Sequence, residues 1–206
     1  MRDKWYGDNR DLVKWGALLH IAETHAIQTV LQVAFYRANV QPVHLTKDKE
    51  QASFSSAVLA HFRDIRHIRR LGRPIGLRID VFRDEFHCAG TRIERMVFRQ
   101  KYVQKMVRRI RKLGRERLLV FLDPDTGIAM KTPGWQHVTG DEVRTIFEAL
   151  KPESVLVLYQ HARRIRDWRE VTKKEFAAAL GPKPPGISTL ASPLANDVVF
   201  FAVARS

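Results

Sequence analysis

The chain has 206 residues, 45% apolar and 28% charged, with a formal net charge of +14. That length fits one domain with a sizeable core, and the composition excludes intrinsic disorder. No apolar run approaches the roughly 20 residues that span a bilayer, and the segment Met1 to Arg10 is charged and lacks a signal peptide's apolar stretch, so the expectation is a cytoplasmic protein with no membrane partner. Apolar positions at Leu12, Trp15, Leu18, Leu19 and Ala22 predict a helix over 11–23, with Asp8, Asp11 and Lys14 near one another. The β-rich run 27–36 predicts a strand, and the polar, proline-containing stretch 41–51 a loop. Phe54, Val58, Phe62, Ile65 and Ile68 predict a helix over 53–71, stopped by Gly72 and Pro74, that leaves Arg63, Arg66, His67, Arg69 and Arg70 for solvent or a partner. Leu77, Ile79 and Val81 alternate with Arg78 and Asp80 as in a strand, and 91–113 reads as a long helix ending at Gly114. Its final cations Arg108, Arg109, Arg111 and Lys112 complement the helix dipole.

Leu118 to Leu122 is an apolar, buried-type strand that runs into Asp123-Pro124-Asp125-Thr126-Gly127. Thr139-Gly140-Asp141-Glu142 is a capping box that opens a helix through Val143, Ile146, Phe147 and Leu150, with Pro152 just beyond its end. Ser154 to Tyr159 is the next buried strand, with Gln160, His161, Arg163 and Arg164 at its exit. Thr172 and Glu175 read as a second capping box, for a helix ending at Gly181, and 187–190 and 197–204 as closing strands. Helices and strands alternate throughout, which predicts a single α/β domain over 1–206, a mainly parallel sheet flanked by helices in the Rossmann manner. The lone Cys88 cannot form an internal disulfide or a cysteine zinc site.

In an open α/β sheet ligands bind outside the carboxyl ends of the strands. Two carboxylates held there by a proline and a glycine therefore suggest chemistry. Asp123 and Asp125, with Asp11 in support, are oxygen ligands of the kind Mg²⁺ or Mn²⁺ prefers. His161 is the candidate acid or base, and Lys14 or Arg163 the group that stabilises phosphate charge. Roughly half of all Lys and Arg fall between Arg63 and Arg117, which predicts a nucleic-acid partner. The candidate contacts are Arg63, Arg66, Arg70, Arg108, Arg109, Arg163 and Arg164. Together these features predict a divalent-metal-dependent phosphodiester hydrolase acting on nucleic acid.

Three short segments carry a resemblance: Gly7-Asp8-Asn9-Arg10-Asp11-Leu12-Val13-Lys14, Leu122-Asp123-Pro124-Asp125 and Tyr159-Gln160-His161. Together they resemble class I adenine-N6 RNA methyltransferases, and over most of its length the chain looks like a family of uncharacterised bacterial proteins. The methyltransferase resemblance implies a Rossmann-like fold, S-adenosylmethionine as cofactor, an N-terminal segment beside that cofactor and an Asp-Pro loop that holds a target amino group. Asp125 stands where that family has a second proline, and Thr126 where it has a stacking aromatic. The segment Gln32 to Asn39 contains no glycine. Methyl transfer is therefore the second expectation. A third is a non-catalytic nucleic-acid-binding module on the same scaffold, with Trp5, Tyr6, Trp15 and Trp135 available to stack bases.

Overall fold

The computed structural model describes residues 9–37, 44–47, 50–53, 65–114, 116–129, 133–184 and 186–206. The strands are β1 Thr29–Val33, β2 His44–Lys47, β3 Glu50–Ser53, β4 Arg78–Phe82, β5 Leu118–Leu122, β6 Gly127–Ile128, β7 His137–Val138, β8 Val155–His161, β9 Ile187–Leu190 and β10 Val198–Ala204. The helices are α1 Asn9–Thr24, α2 Arg69–Gly72, α3 Arg92–Leu113, α4 Gly140–Glu148 and α5 Trp168–Leu180. Six strands form one sheet in the order β4-β1-β5-β8-β10-β9. Strands β4, β1, β5 and β8 are parallel, and β10 runs antiparallel between β8 and β9. The fold is α/β and Rossmann-like, a mainly parallel sheet flanked by helices, as the alternation of elements predicts.

The sheet is covered on both faces, which is why its central strands read as unbroken apolar runs. Leu31, Val33, Val120, Leu122, Leu156, Leu158 and Phe201 join one core with residues of α3, α4 and α5. The alternate positions Val30, Phe121, Val157, Tyr159 and Phe200 join a second core with Trp15, Leu18 and Ile21 of α1. The strand period of two thus divides one sequence between two layers.

Two helices begin with reciprocal caps. Thr139 accepts from the Glu142 N–H while the Glu142 carboxylate accepts from the Thr139 N–H, and Thr91 and Glu94 repeat the arrangement at α3. Thr172 does not cap. It lies buried inside α5, where its hydroxyl donates back to the Trp168 carbonyl at 2.8 Å, and the helix begins after Asp167, which has φ 52°. A Ser/Thr-x-x-Glu spacing also occurs inside helices, where the hydroxyl back-bonds to the preceding turn. The stretch expected as a loop over 41–51 contains β2 and the start of β3, which pair as an antiparallel hairpin; these strands are polar and so carry no alternation signal. Of the helix expected over 53–71, residues 54–64 lie outside the described residues. Ser53 ends β3, and the remainder is a 3₁₀ turn over Ile65–Ile68 that passes into α2. Gly72 and Pro74 do not end this helical path: a further 3₁₀ turn over Arg73–Ile75 follows, and Gly76 stops it in the left-handed region at φ 67°.

Arg99 ties α3 to α4. Its guanidinium donates to both Glu142 oxygens, at 2.7 and 2.6 Å, and to the carbonyls of Gly134 and His137. Burial first, then the Arg163 and Arg99 charges, hold the His137 imidazole below its ordinary pKa. The Gly134 N–H donates to His137 Nδ1 at 3.1 Å, which requires that nitrogen unprotonated. The unfolded chain takes up this proton near pH 6.5 while the folded chain resists it, so stability should fall as pH drops below about 6.5. Thermal melts between about pH 7.5 and 5 should show a shallower loss for His137→Gln than for the parent protein. Thr139→Ala should cost about 1 kcal/mol in urea denaturation through the lost cap.

Candidate functional site

The strand order reverses between β1 and β5, since the chain leaves β1 for β4 on one side and returns to β5 on the other. Such a switch point opens a crevice at the carboxyl ends of the two strands. The Asp123 N–H bonds the Val33 carbonyl at 3.0 Å, so the Asp-Pro-Asp loop starts at the crevice floor. Arg37, beyond β1, and Asp125, beyond β5, form an ion pair across it.

Beneath the crevice lies a buried charge cluster. The Lys14 ammonium donates to Asp11 Oδ1 at 2.8 Å and lies 3.2 Å from both oxygens of Asp123. The Gln32 amide donates to Asp123 Oδ2 at 2.8 Å. Asp11, Lys14 and Asp123 are respectively 6%, 5% and 3% exposed. Burial alone would depress the lysine pKa, but the charges of Asp123 and Asp11 and the hydrogen bond to Asp11 outweigh it and hold the pKa above the ordinary lysine value. Such a group stays charged throughout the neutral range, and its contribution is full below the ordinary lysine pKa and is lost as pH rises from there through the raised value. The ammonium also sits 5.3 Å from the Tyr159 ring centroid. Burial pushes the Tyr159 phenol up, the neighbouring Lys14 pulls it down, and the net shift is upward, so the phenol stays neutral.

These contacts bear directly on the metal expectation. Asp11 and Asp123 do converge, but the space between them holds a lysine ammonium, already a cation with its own hydrogen bonds. Asp125 faces Arg37 rather than the other two acids. Among the described residues no three His, Cys, Asp or Glu side chains group so as to hold a metal ion. The donor set does not fit Mg²⁺ or Mn²⁺, which require several oxygen ligands around one point.

The loop after β5 is fixed by Gln160 of β8, which is fully buried. Its Oε1 accepts from the Ile128 N–H at 3.0 Å, and its Nε2 donates to the carbonyls of Thr126 and His161 at 2.9 and 2.7 Å. Gly127 has φ 108°, and any Cβ there would overlap the Gln160 amide, so the position admits only glycine on both grounds. Thr126 donates through both its N–H and its hydroxyl to the Gln136 carbonyl.

His161 is placed by a residue the sequence does not point to. Its Nε2 lies 3.2 Å from Asp197 Oδ2, and Nδ1 lies 3.4 Å from the Ala162 carbonyl. Arg10 donates to Asp197 Oδ2 through Nη2 at 2.6 Å and Nε at 3.1 Å, and this hydrogen bonding holds the Asp197 carboxyl below its ordinary range. Both imidazole nitrogens therefore face partners other than the Asp123 loop. Asp197 follows a short 3₁₀ turn over Pro193–Ala195 and carries no motif; only the β8–β10 register, with Val198 opposite His161, brings it here.

The nominated cations divide. Arg163 is a brace: it donates to the Ile128 carbonyl at 2.5 Å and pairs with Glu175 at 2.7 Å. Arg109 pairs with Asp80 at 2.6 Å. Arg66 is exposed and engaged in contacts of its own. Arg70, Arg108 and Arg164 are exposed. Arg63 lies outside the described residues, as do Trp5, Tyr6 and Asp8. Trp15 is buried in the core, and Trp135 packs edge-on against Phe86 and Phe98, so neither is a free stacking platform.

The chain is similar in structure to the crystal structure of a DUF574 family protein from Streptomyces avermitilis, with a TM-score of 0.45 and 10% identity over 96% of this chain and 82% of that one. No protein-family model and no curated protein matches the chain. No helix among the described residues is long and apolar enough to cross a membrane.

Lys14→Met would remove the one cation that Asp11 and Asp123 share in a buried site and should cost about 3–5 kcal/mol, and adding Asp123→Asn should restore part of it. Urea denaturation of the single and double variants measures this. Millimolar Mg²⁺ should leave the Tm of the parent protein unchanged, whereas a metal held by Asp11 and Asp123 would raise it.

Proposed function

We propose that the protein is a nucleic-acid-directed methyltransferase-type enzyme that takes S-adenosylmethionine in the crevice between β1 and β5. One observation carries this reading: residues of the three segments that resemble adenine-N6 methyltransferases, far apart in sequence, meet around the Lys14 ammonium. Asp11 and Lys14 come from α1, Asp123 from the end of β5, and Tyr159 from β8. A metal-dependent hydrolase has weaker support, because its central ligand position is held by the Lys14 ammonium.

The missing glycine after β1 is compatible with such a cofactor. Phe35 has φ 43°, the left-handed conformation glycine would supply, and its side chain is 1% exposed and packed against Phe86 and Tyr102. The turn is thus made without a ring standing in the crevice. Its strain, of order 1–3 kcal/mol, is carried by the aromatic packing. Glu85, exposed beyond β4 and bridged to Tyr36, stands where Rossmann-type sheets present an acid to ribose hydroxyls. S-adenosylmethionine, when bound, supplies an electrophilic methyl group.

The chain's own groups divide the remaining work. Asp123 is committed to Lys14 and Gln32, so its role is to fix the loop. Asp125, partly exposed at the rim, is the carboxylate able to accept a hydrogen bond from a base amino group once Arg37 turns away. Gln160 keeps the loop from shifting.

Addition of S-adenosylmethionine should raise the Tm of the purified protein, and labelled methyl should pass from it to total RNA or DNA. Asp125→Asn should leave the Tm shift intact while lowering transfer by at least tenfold. A protein that binds nucleic acid yet gives no shift with the cofactor would overturn the reading.

A further inference from the structure

We infer that the solvent face of α3 is a track for the phosphate backbone of duplex nucleic acid, separate from the crevice at Asp123. The inference deepens the nucleic-acid part of the proposed function and is independent of methyl transfer. From Arg95 to Leu113 the helix carries eight cations and no acid. Solvated helix faces ordinarily interleave the two signs, because i,i+4 pairs of opposite charge stabilise them and like pairs repel. Here Lys101, Lys105, Arg108 and Lys112 follow at steps of four, three and four, all exposed, with Arg111 beside them. That spacing puts the four on one stripe, about 16 Å long at the helical rise.

Competing explanations account for only part of the charge. The helix dipole favours cations in the last turn, which covers Arg111 and Lys112 but leaves Lys101, Lys105 and Arg108. Internal pairing accounts for Arg99, held by Glu142, and Arg109, held by Asp80. Lys105 pairs with Asp84 at 3.0 Å, but both side chains are about half exposed, at 56% and 45%. An exposed pair of that kind contributes little and exchanges readily for a phosphate.

The stripe favours duplex over single strand. Phe98 and Tyr102, the aromatic residues of α3, belong to the aromatic packing beneath it. The stripe therefore offers point charges without a stacking surface, which suits sequence-independent contact with a duplex backbone. Its length matches about half of a duplex turn of roughly 34 Å.

The test is fluorescence anisotropy with a mixed-sequence 20-base-pair DNA duplex, without cofactor, over about 50–200 mM KCl. In the variant Lys101→Gln/Lys105→Gln/Arg108→Gln/Lys112→Gln, affinity should fall more than tenfold at low salt. The slope of log K against log[salt] should shrink by about 3–4, since each phosphate that a cation neutralises adds roughly 0.9 to it. The variant Lys151→Gln/Arg166→Gln/Lys174→Gln/Lys183→Gln removes the same charge at exposed positions elsewhere and should keep the parent slope. All these positions are exposed, and circular dichroism checks that both variants fold. Equal losses in the two variants, or no loss in the first, would overturn the track. So would tighter binding to a 20-nucleotide oligo(dT), or binding only to vesicles containing phosphatidylserine. Because no methyl donor is present, absence of methyl transfer would leave this result readable.

Discussion

The Lys14 ammonium, buried between Asp11 and Asp123, is the constraint on which the geometry of the crevice depends. Removing each of these ions from water costs several kcal/mol, and their mutual attraction offsets that only in one arrangement. Apolar packing would let α1 slide over the sheet with modest losses, whereas the ion cluster fixes one docking position. Asp11 and Lys14 lie three residues apart on one helix, so both meet Asp123 only when this turn of α1 faces the end of β5. Gln32 of β1 joins the same carboxylate. Helix α1 and strands β1 and β5 are thus keyed to one another at a single point, the base of the switch-point crevice.

From that point the loop geometry follows. Asp123 is held from below by Lys14 and Gln32, and Gly127 from the side by Gln160. Pro124, between them, has its φ fixed by its ring. Little freedom remains in the segment, and what remains lies at Asp125, whose partner Arg37 comes from the other wall of the crevice. A loop rigid at both ends, with one carboxylate at the rim, suits a site that must hold a substrate group in a fixed orientation.

The sequence made the scaffold legible because its signals are local. Strand β5 and the Thr139 cap each declare themselves within a few residues, and the alternation of elements yields the sheet class. Local signals mislead where two structures share one spacing, as at Thr172 and Glu175, which match a capping box yet sit inside a helix with Glu175 turned to Arg163. The sequence points to Asp11, Lys14 and Asp123 but not to the contacts they make, since a hydrogen bond across 109 residues leaves no periodic trace. A carboxylate that binds a metal and one that binds a buried lysine look the same in sequence. Asp197 and Gln160 act through strand register and loop packing, which only the assembled sheet reveals.

The division of charge in the folded chain clarifies what a net +14 means here. Among the described residues, cations close to the crevice are largely matched: Lys14 with two aspartates, Arg37 with Asp125, Arg10 with Asp197, Arg163 with Glu175. Matched pairs contribute little to the field at a distance. Among the described residues, exposed cations gather elsewhere, on surfaces such as the outer face of α3, where no acid follows Glu94 before the helix ends. A polyanion approaching the protein therefore responds first to that face, at long range and in a salt-dependent manner. With catalysis in the crevice, as proposed, and polyanion contact on α3, affinity and chemistry would be tuned by separate residues, which a single site combining basic and acidic groups would not allow.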